Sequence, residues 1–460
     1  MRKSGLSLLS LVAGVCLFPA AAFAQEVPVA PAAPAPAPPA DAPGVAPATP
    51  ATQPGAGPQQ APPPAAVPEA PLPGEAPPPP APPAEAAAAP AQAYPATTIF
   101  GGIEGSWHRM FDSPHMPEGI AVDPDSGAAT LAPVGAVPTR AYDSANGFLL
   151  NQASLGIKHQ LNETIYGVIR FDAGANAGIN SFGTSRLFDV REAYAVAQGS
   201  GFTFTAGKFT TYQGIEVVDG WLNPTITRGY LYYLAEPVTH VGAKIHYTTN
   251  MFDVGVGVVN GWDSNNGYFG TGDNNPQKTL IFRAAVTPAP IFFAALSGTY
   301  GVEKLASSVD PRLSLDLTGA VTPLPSLVIN FQGNYGSEKK LDWVDATKSA
   351  SWLGFGLQPV FKLDAFQIGA RFEYFADKGL SRTSGFSGAI NPKGADGALE
   401  DPTNTKNQVN LWTLGIAPGY TIANALLVRA EFRVDGADEE VLWAGKKTQK
   451  SLAFSAAYYF

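Results

Sequence analysis

Charged side chains recur two residues apart inside otherwise apolar runs of this chain: Arg170 and Asp172, Lys244 and His246, Arg371 and Glu373, and Arg429, Glu431, Arg433 and Asp435. Arg283 and Asp316 stand alone in similar runs. A spacing of two puts such groups on one face of a β-strand, where a row of mixed charge suits a wet surface and not a single reaction centre. The remaining chemistry is sparse. His240 and His246 can share a strand face, but six residues at about 3.3 Å each hold them roughly 20 Å apart. One metal ion with ligands at about 2 Å is beyond them. No serine sits in a G-x-S-x-G elbow, and the single cysteine, Cys16, lies in the N-terminal apolar run. The residues therefore point to no catalytic group, no metal site and no cofactor. Asp-bearing stretches at 123–125 and 270–275 suit solvated loops better than calcium.

The elements that carry these charges are strands. In 426–435, Leu426, Val428, Ala430, Phe432 and Val434 share one face, opposite Arg429, Glu431, Arg433 and Asp435. The same alternation sets Arg371 and Glu373 against Ile368, Ala370, Phe372 and Tyr374, and Lys244 and His246 against Val241, Ala243, Ile245 and Tyr247. It sets Asp172 and Arg170 against Ile169 and Phe171, Arg283 against Phe282 and Ala284, and Asp316 against Leu315 and Leu317. The last stretch, KSLAFSAAYYF, puts Leu452, Phe454, Ala456, Tyr458 and Phe460 on one face and small or polar residues on the other. One strand breaks the rule. In 187–196 the face of Phe188, Val190, Tyr194 and Val196 also carries Glu192, which would aim a carboxylate at lipid unless a bulge intervenes.

Connections alternate between short turns (161–163, 199–201, 249–251, 288–290, 323–325, 363–364, 421–423) and long loops (111–145, 174–186, 210–237, 261–277, 302–310, 337–349, 376–406, 436–445). This asymmetry predicts an all-β fold, a transmembrane antiparallel β-barrel of about sixteen strands, with fourteen and eighteen as neighbouring counts. Closure pairs every backbone group inside the bilayer. At that size the interior is too wide for side chains to fill, and the charged faces would line water.

The first hundred residues differ. Arg2 and Lys3, an apolar run from Leu6 to Phe18 and Ala22-Phe23-Ala24 read as a secretory signal peptide over 1–24. The Ala/Pro-rich stretch over 25–97 lacks apolar side chains to offset its ordering entropy and is expected to be a disordered tether. The barrel domain then occupies 98–460. A formal charge of −9 argues against a nucleic-acid surface.

The loop over 210–237 is unusually apolar and aromatic, so burial inside the barrel is expected, with a short helical turn near 226–234. Across 202–242 the sequence resembles the bacterial outer-membrane beta-barrel porin-2 (OmpL-like) family. The resemblance is carried by GKF at 207–209, then Gly214, Glu216, Val217, Val218 and Asp219, then Asn223, Thr227, Arg228 and Gly229, then Pro237, Thr239, His240 and Gly242. It implies an outer-membrane porin, without enzyme activity, that passes small hydrophilic solutes or ions. The terminal strand also resembles that class, in which Phe454, Tyr458 and above all Phe460 would be read by the barrel assembly machinery. Within the loop, Glu216 and Asp219 are placed opposite Arg371, Arg429 and Arg433 at a constriction, or else pair with Arg228 and their neighbours to hold the loop. Porins often form trimers, and the sequence does not decide between a homotrimer and a monomer. The competing reading is a structural or adhesive barrel whose large loops bind another surface and whose tether engages peptidoglycan.

Overall fold

The structure is a computed structural model and describes residues 94–111, 120–122, 129–131, 147–180, 188–262, 275–303, 309–383, 403–440, 442 and 446–460. The signal peptide over 1–24, the Ala/Pro-rich stretch up to 93, His115, the 123–125 stretch, 270–274 and the middle of the 376–406 loop lie outside the described residues.

Sixteen antiparallel strands close into one barrel. In chain order they are β1 (Ala96–Met110), β4 (Gly147–Gln160), β5 (Ile165–Ala173), β6 (Phe188–Gly199), β7 (Phe202–Thr210), β8 (Thr239–Thr248), β9 (Phe252–Val259) and β10 (Thr279–Ala289). There follow β11 (Phe292–Val302), β12 (Pro311–Leu324), β13 (Leu327–Glu338), β14 (Ala350–Leu363), β15 (Phe366–Lys378), β16 (Gln408–Ile422), β17 (Leu426–Ala437) and β18 (Thr448–Tyr459). A separate hairpin of β2 (Ile120–Val122) and β3 (Ala129–Leu131) falls between β1 and β4. The seven turns and eight loops fall where the length asymmetry of the sequence puts them. Closure joins the two ends: β1 pairs with both β4 and β18, and Gly101 and Phe460 exchange backbone hydrogen bonds of 3.0 Å.

Every strand has an inside and an outside because side chains alternate. On β17, Arg429, Glu431, Arg433 and Asp435 are buried, while Phe432 is exposed. On β18, Ser451, Ala453, Ser455 and Ala457 are buried, and Phe454, Ala456 and Tyr458 are exposed. The outside also carries Ile103, Leu155, Ile169, Phe204, Val256, Leu296, Leu353 and Ile416, all exposed. An apolar band of that extent is far larger than a water-facing surface tolerates and suits the hydrocarbon of a bilayer. Among the described residues no helix is long and apolar enough to cross a membrane.

The one strand that broke the alternation does so through a bulge. Arg170 pairs with Glu192 but Phe171 pairs with Val190, so Arg191 is the extra residue. Phe188 and Val190 stay exposed, while Arg191 and Glu192 are both buried and Val196 turns inward. Tyr194 and Val196 therefore do not share the outer face with Phe188 and Val190, as uninterrupted alternation would require.

Short turns store a little strain. Ala423 and Asn424, between β16 and β17, take φ of 50° and 57°, a region that costs a residue with a Cβ about 1–2 kcal/mol. Glycine at 423 removes that cost, but its greater freedom in the unfolded chain returns roughly half of it. We predict that Ala423→Gly stabilises the refolded barrel by about 0.5–1 kcal/mol, read as a higher urea midpoint. A lower midpoint would contradict the turn geometry.

Candidate functional site

The segment 211–238 leaves β7 and returns to β8 with little regular structure: a 3-10 turn at Gly220–Leu222 and a single π-helical turn at Leu231–Ala235. The helical turn expected at 226–234 is thus shifted toward its C-terminal side. Tyr230 through Ala235 are buried and pack with Trp262, Trp352, Phe375, Val409 and Leu411 in one apolar cluster. Trp221 lies against Leu427 and Ala457 and stacks on Tyr459, ring centroids 6.5 Å apart.

Polar contacts fasten the same segment to strands on widely separated parts of the barrel. Toward β15 and β17, Arg371 reaches Glu216 at 2.7 Å and Glu431 at 3.8 Å, and also binds the Thr225 hydroxyl and the Thr227 carbonyl. Glu431 accepts the backbone N–H groups of Ile226 and Thr227 at 2.8 and 2.7 Å, and the Thr227 hydroxyl at 2.7 Å. Arg433 donates to the Arg228 carbonyl at 2.5 Å and to Thr227 Oγ1 at 2.9 Å, and pairs with Asp435 at 2.8 Å. Glu373 accepts the Leu231 N–H at 3.2 Å. Arg429 spans the join between the first and last strands: it pairs with Glu104 of β1 at 2.5 Å. Its Nη1 caps the carbonyls of Gly220, Asn223 and Thr225 at 3.2, 2.7 and 3.2 Å.

Toward β5 and β6 the anchor is Asp219, which pairs with Arg170 at 2.5 Å and Arg191 at 2.8 Å. Arg191 also holds Asp172 at 3.1 Å. Burial alone would raise the Asp219 carboxyl, but Arg191 and Arg170 outweigh it and hold it below the usual carboxylate range. Glu236 has the opposite environment. Burial, with Asp316 nearby, pushes its carboxyl well above the usual range, opposed only in part by a 2.9 Å hydrogen bond from Gln332. Gly214, at φ 93°, presses its Cα against the Glu236 carboxylate where a Cβ would collide. Its N–H donates to Asp316 at 3.1 Å.

The residues selected from sequence are therefore gathered by one segment, with different partners from those expected. Glu216 does face Arg371. Asp219 does not face Arg371, Arg429 or Arg433; it faces Arg170 and Arg191 across the barrel, because the 3-10 turn carries it toward β5. Arg228 donates to the Val218 carbonyl at 2.9 Å and lies over the Tyr232 ring. Lys244, His246 and Arg283 form a separate group beside Tyr212 and Asp253. Glu104 and Arg191 were missed. Glu104 sits at an inward position of a glycine-rich strand whose alternation is faint, and Arg191 is inward only because of the bulge. Among the described residues no group of histidines, cysteines and carboxylates could hold a metal ion.

Inward charges, an outward apolar band and a buried loop tied to several strands are the features of a channel-type barrel. The family description beta-barrel porin-2, OmpL-like, matches residues 123–460. The chain belongs to that family. No curated protein sequence matches it. Among solved structures, the anion-selective porin of Comamonas acidovorans is similar at TM-score 0.52 and 9% identity, covering 79% of this chain and 99% of that one. The outer-membrane channel DcaP of Acinetobacter baumannii is similar at TM-score 0.51 and 12% identity, covering 79% and 97%. At those identities the likeness is one of fold, that of an outer-membrane porin barrel.

Removing one partner of a buried ion pair strands the other charge and costs about 3–5 kcal/mol, whereas replacing both by apolar groups is close to neutral. Arg429→Met is expected to lower unfolding stability by that amount, and Glu104→Leu with Arg429→Met to recover part of it, because the carbonyls of Gly220, Asn223 and Thr225 remain without their donor. Equal losses in the single and double variants, measured in urea, would show that the pair is not coupled.

Proposed function

We propose that this protein is an outer-membrane porin, a water-filled channel for passive diffusion of small hydrophilic solutes or ions, narrowed by the segment 211–238. The observation that carries this reading is the closed sixteen-stranded barrel with a charged and amide-rich inner face. A barrel of this size is wider than its own side chains fill, and polar inner faces favour water in the remaining space. Passage would be governed by width and by the charge of the wall, with no bond made or broken. Glu216, Asp219, Arg371, Arg429 and Arg433 serve here chiefly to hold the segment in place, since each is paired and buried.

A second reading draws on the same burial. Arg371, Arg429 and Arg433 have side-chain exposures of 0%, as they would in a barrel whose lumen the segment fills and whose role is structural or adhesive.

Planar-bilayer recording from the purified, folded chain separates the two. The porin reading predicts discrete, stable open steps at neutral pH. Silence from a barrel that still shows heat-dependent mobility on gels would contradict it and leave the structural reading.

A further inference from the structure

The inner wall is not uniform. Inward ion-paired groups on β1, β15 and β17 have no exposed side-chain surface. Glu192, His246, Asp253, Arg283 and Arg312 keep 10–14%, and all of them lie on β6 to β12. Partly exposed charged groups are thus found on that part of the wall and not among the ion pairs of β1, β15 and β17.

One strand there is bare. In β9 the outward positions are Val254, Val256 and Val258, and the inward ones include Gly255 and Gly257. Gly255 faces His246 and Gly257 faces Lys244 across the β8–β9 pair. A Cβ at Gly255 would stand 2.8 Å from the His246 ring, and one at Gly257 would stand 2.8 Å from Lys244 Cβ. The glycines thus let both side chains lie over β9.

Charge is unbalanced at this recess. Asp253 is shared between His246 at 3.1 Å and Arg283 at 3.7 Å. Lys244 forms no ion pair among the described residues. Its ammonium sits over the rings of Phe209 and Tyr212, 4.3 and 4.5 Å from their centroids, and it is partly exposed. Glu192, a further carboxylate on this wall, is engaged by Arg191 at 3.5 Å. The acid-rich remainder of the interior is enclosed among arginines and amides, and Glu236 there is pushed toward its neutral form.

We propose that Lys244, seated beside the glycine face of β9, is the residue that sets ion preference, and that the channel passes small anions ahead of cations. This rests on the porin reading above. An ammonium held over aromatic faces, with no carboxylate in contact among the described residues, keeps its charge available to a passing ion, whereas a paired arginine does not. One unit charge at about 4 Å in water favours a passing anion about fivefold and disfavours a cation by about the same factor, roughly 25-fold in their permeability ratio.

The test is reversal potential in a potassium chloride gradient, with the full folded chain in planar bilayers. Wild type is expected to prefer chloride. Lys244→Gln should reduce the chloride-to-potassium permeability ratio by roughly 25-fold, Lys244→Glu should favour potassium, and Lys244→Arg should retain the wild-type sign. A conducting wild type that prefers potassium overturns the inference even if no variant folds, and so does a folded Lys244→Gln with the wild-type ratio. Both leave the porin reading standing. A folded wild type that does not conduct overturns the porin reading and this inference with it.

Discussion

Buried guanidinium groups need oxygen, and a β-barrel wall offers little of it, because its carbonyls are spent on neighbouring strands. The segment 211–238 supplies what the wall lacks. Carbonyls of Gly220, Asn223 and Thr225 meet Arg429, those of Thr227 and Arg228 meet Arg371 and Arg433, the carboxylate of Glu216 meets Arg371, and that of Asp219 meets Arg170 and Arg191. The dependence is mutual. A segment crossing a barrel has few regular hydrogen bonds of its own, and Glu431 accepts the N–H groups of Ile226 and Thr227 between the two turns while Glu373 accepts that of Leu231 where the π turn begins. Loop and wall are each incomplete without the other, so their relative position is fixed by charge and by geometry together.

The division of the wall follows from that fixation. Where arginines are consumed in holding the segment, they are shut off from water. Where the segment starts, at Tyr212 to Gly214, its contacts are lighter: Tyr212 binds His246, its carbonyl accepts from Ser297 at 3.2 Å, and Gly214 donates to Asp316 at 3.1 Å. The glycines of β9 add room beside Lys244. A strand that reads Val-Gly-Val-Gly-Val carries no charged motif, yet absence of side chains on its inner face shapes the surroundings of His246 and Lys244.

Much of the fold is legible in the sequence because a barrel in a bilayer obeys one rule at every position. Alternation assigns Arg371, Glu373, Arg429, Glu431 and Arg433 to the inside and Phe432 and Phe454 to the outside, and the alternation of short turns with long loops points to about sixteen strands. The site was only half legible. That the segment 211–238 would be buried follows from its aromatic content, but which charge meets which depends on its path. The 3-10 turn that sends Asp219 to Arg170 and the bulge that admits Arg191 are single-residue events with no period. Glu104 escaped for the opposite reason: in Phe100-Gly101-Gly102-Ile103-Glu104-Gly105 too few side chains remain to display a pattern.

In the proposed channel, the segment held by these buried pairs would set the width of the passage. Polymer exclusion measures this most directly: the largest polyethylene glycol that enters the channel and lowers its conductance, in wild type and in a folded barrel with 217–235 replaced by a short glycine–serine linker. The account predicts a clear rise in the size admitted when the segment is removed, with larger single-channel steps. An unchanged exclusion limit would contradict it, and would move the constriction to another part of the barrel.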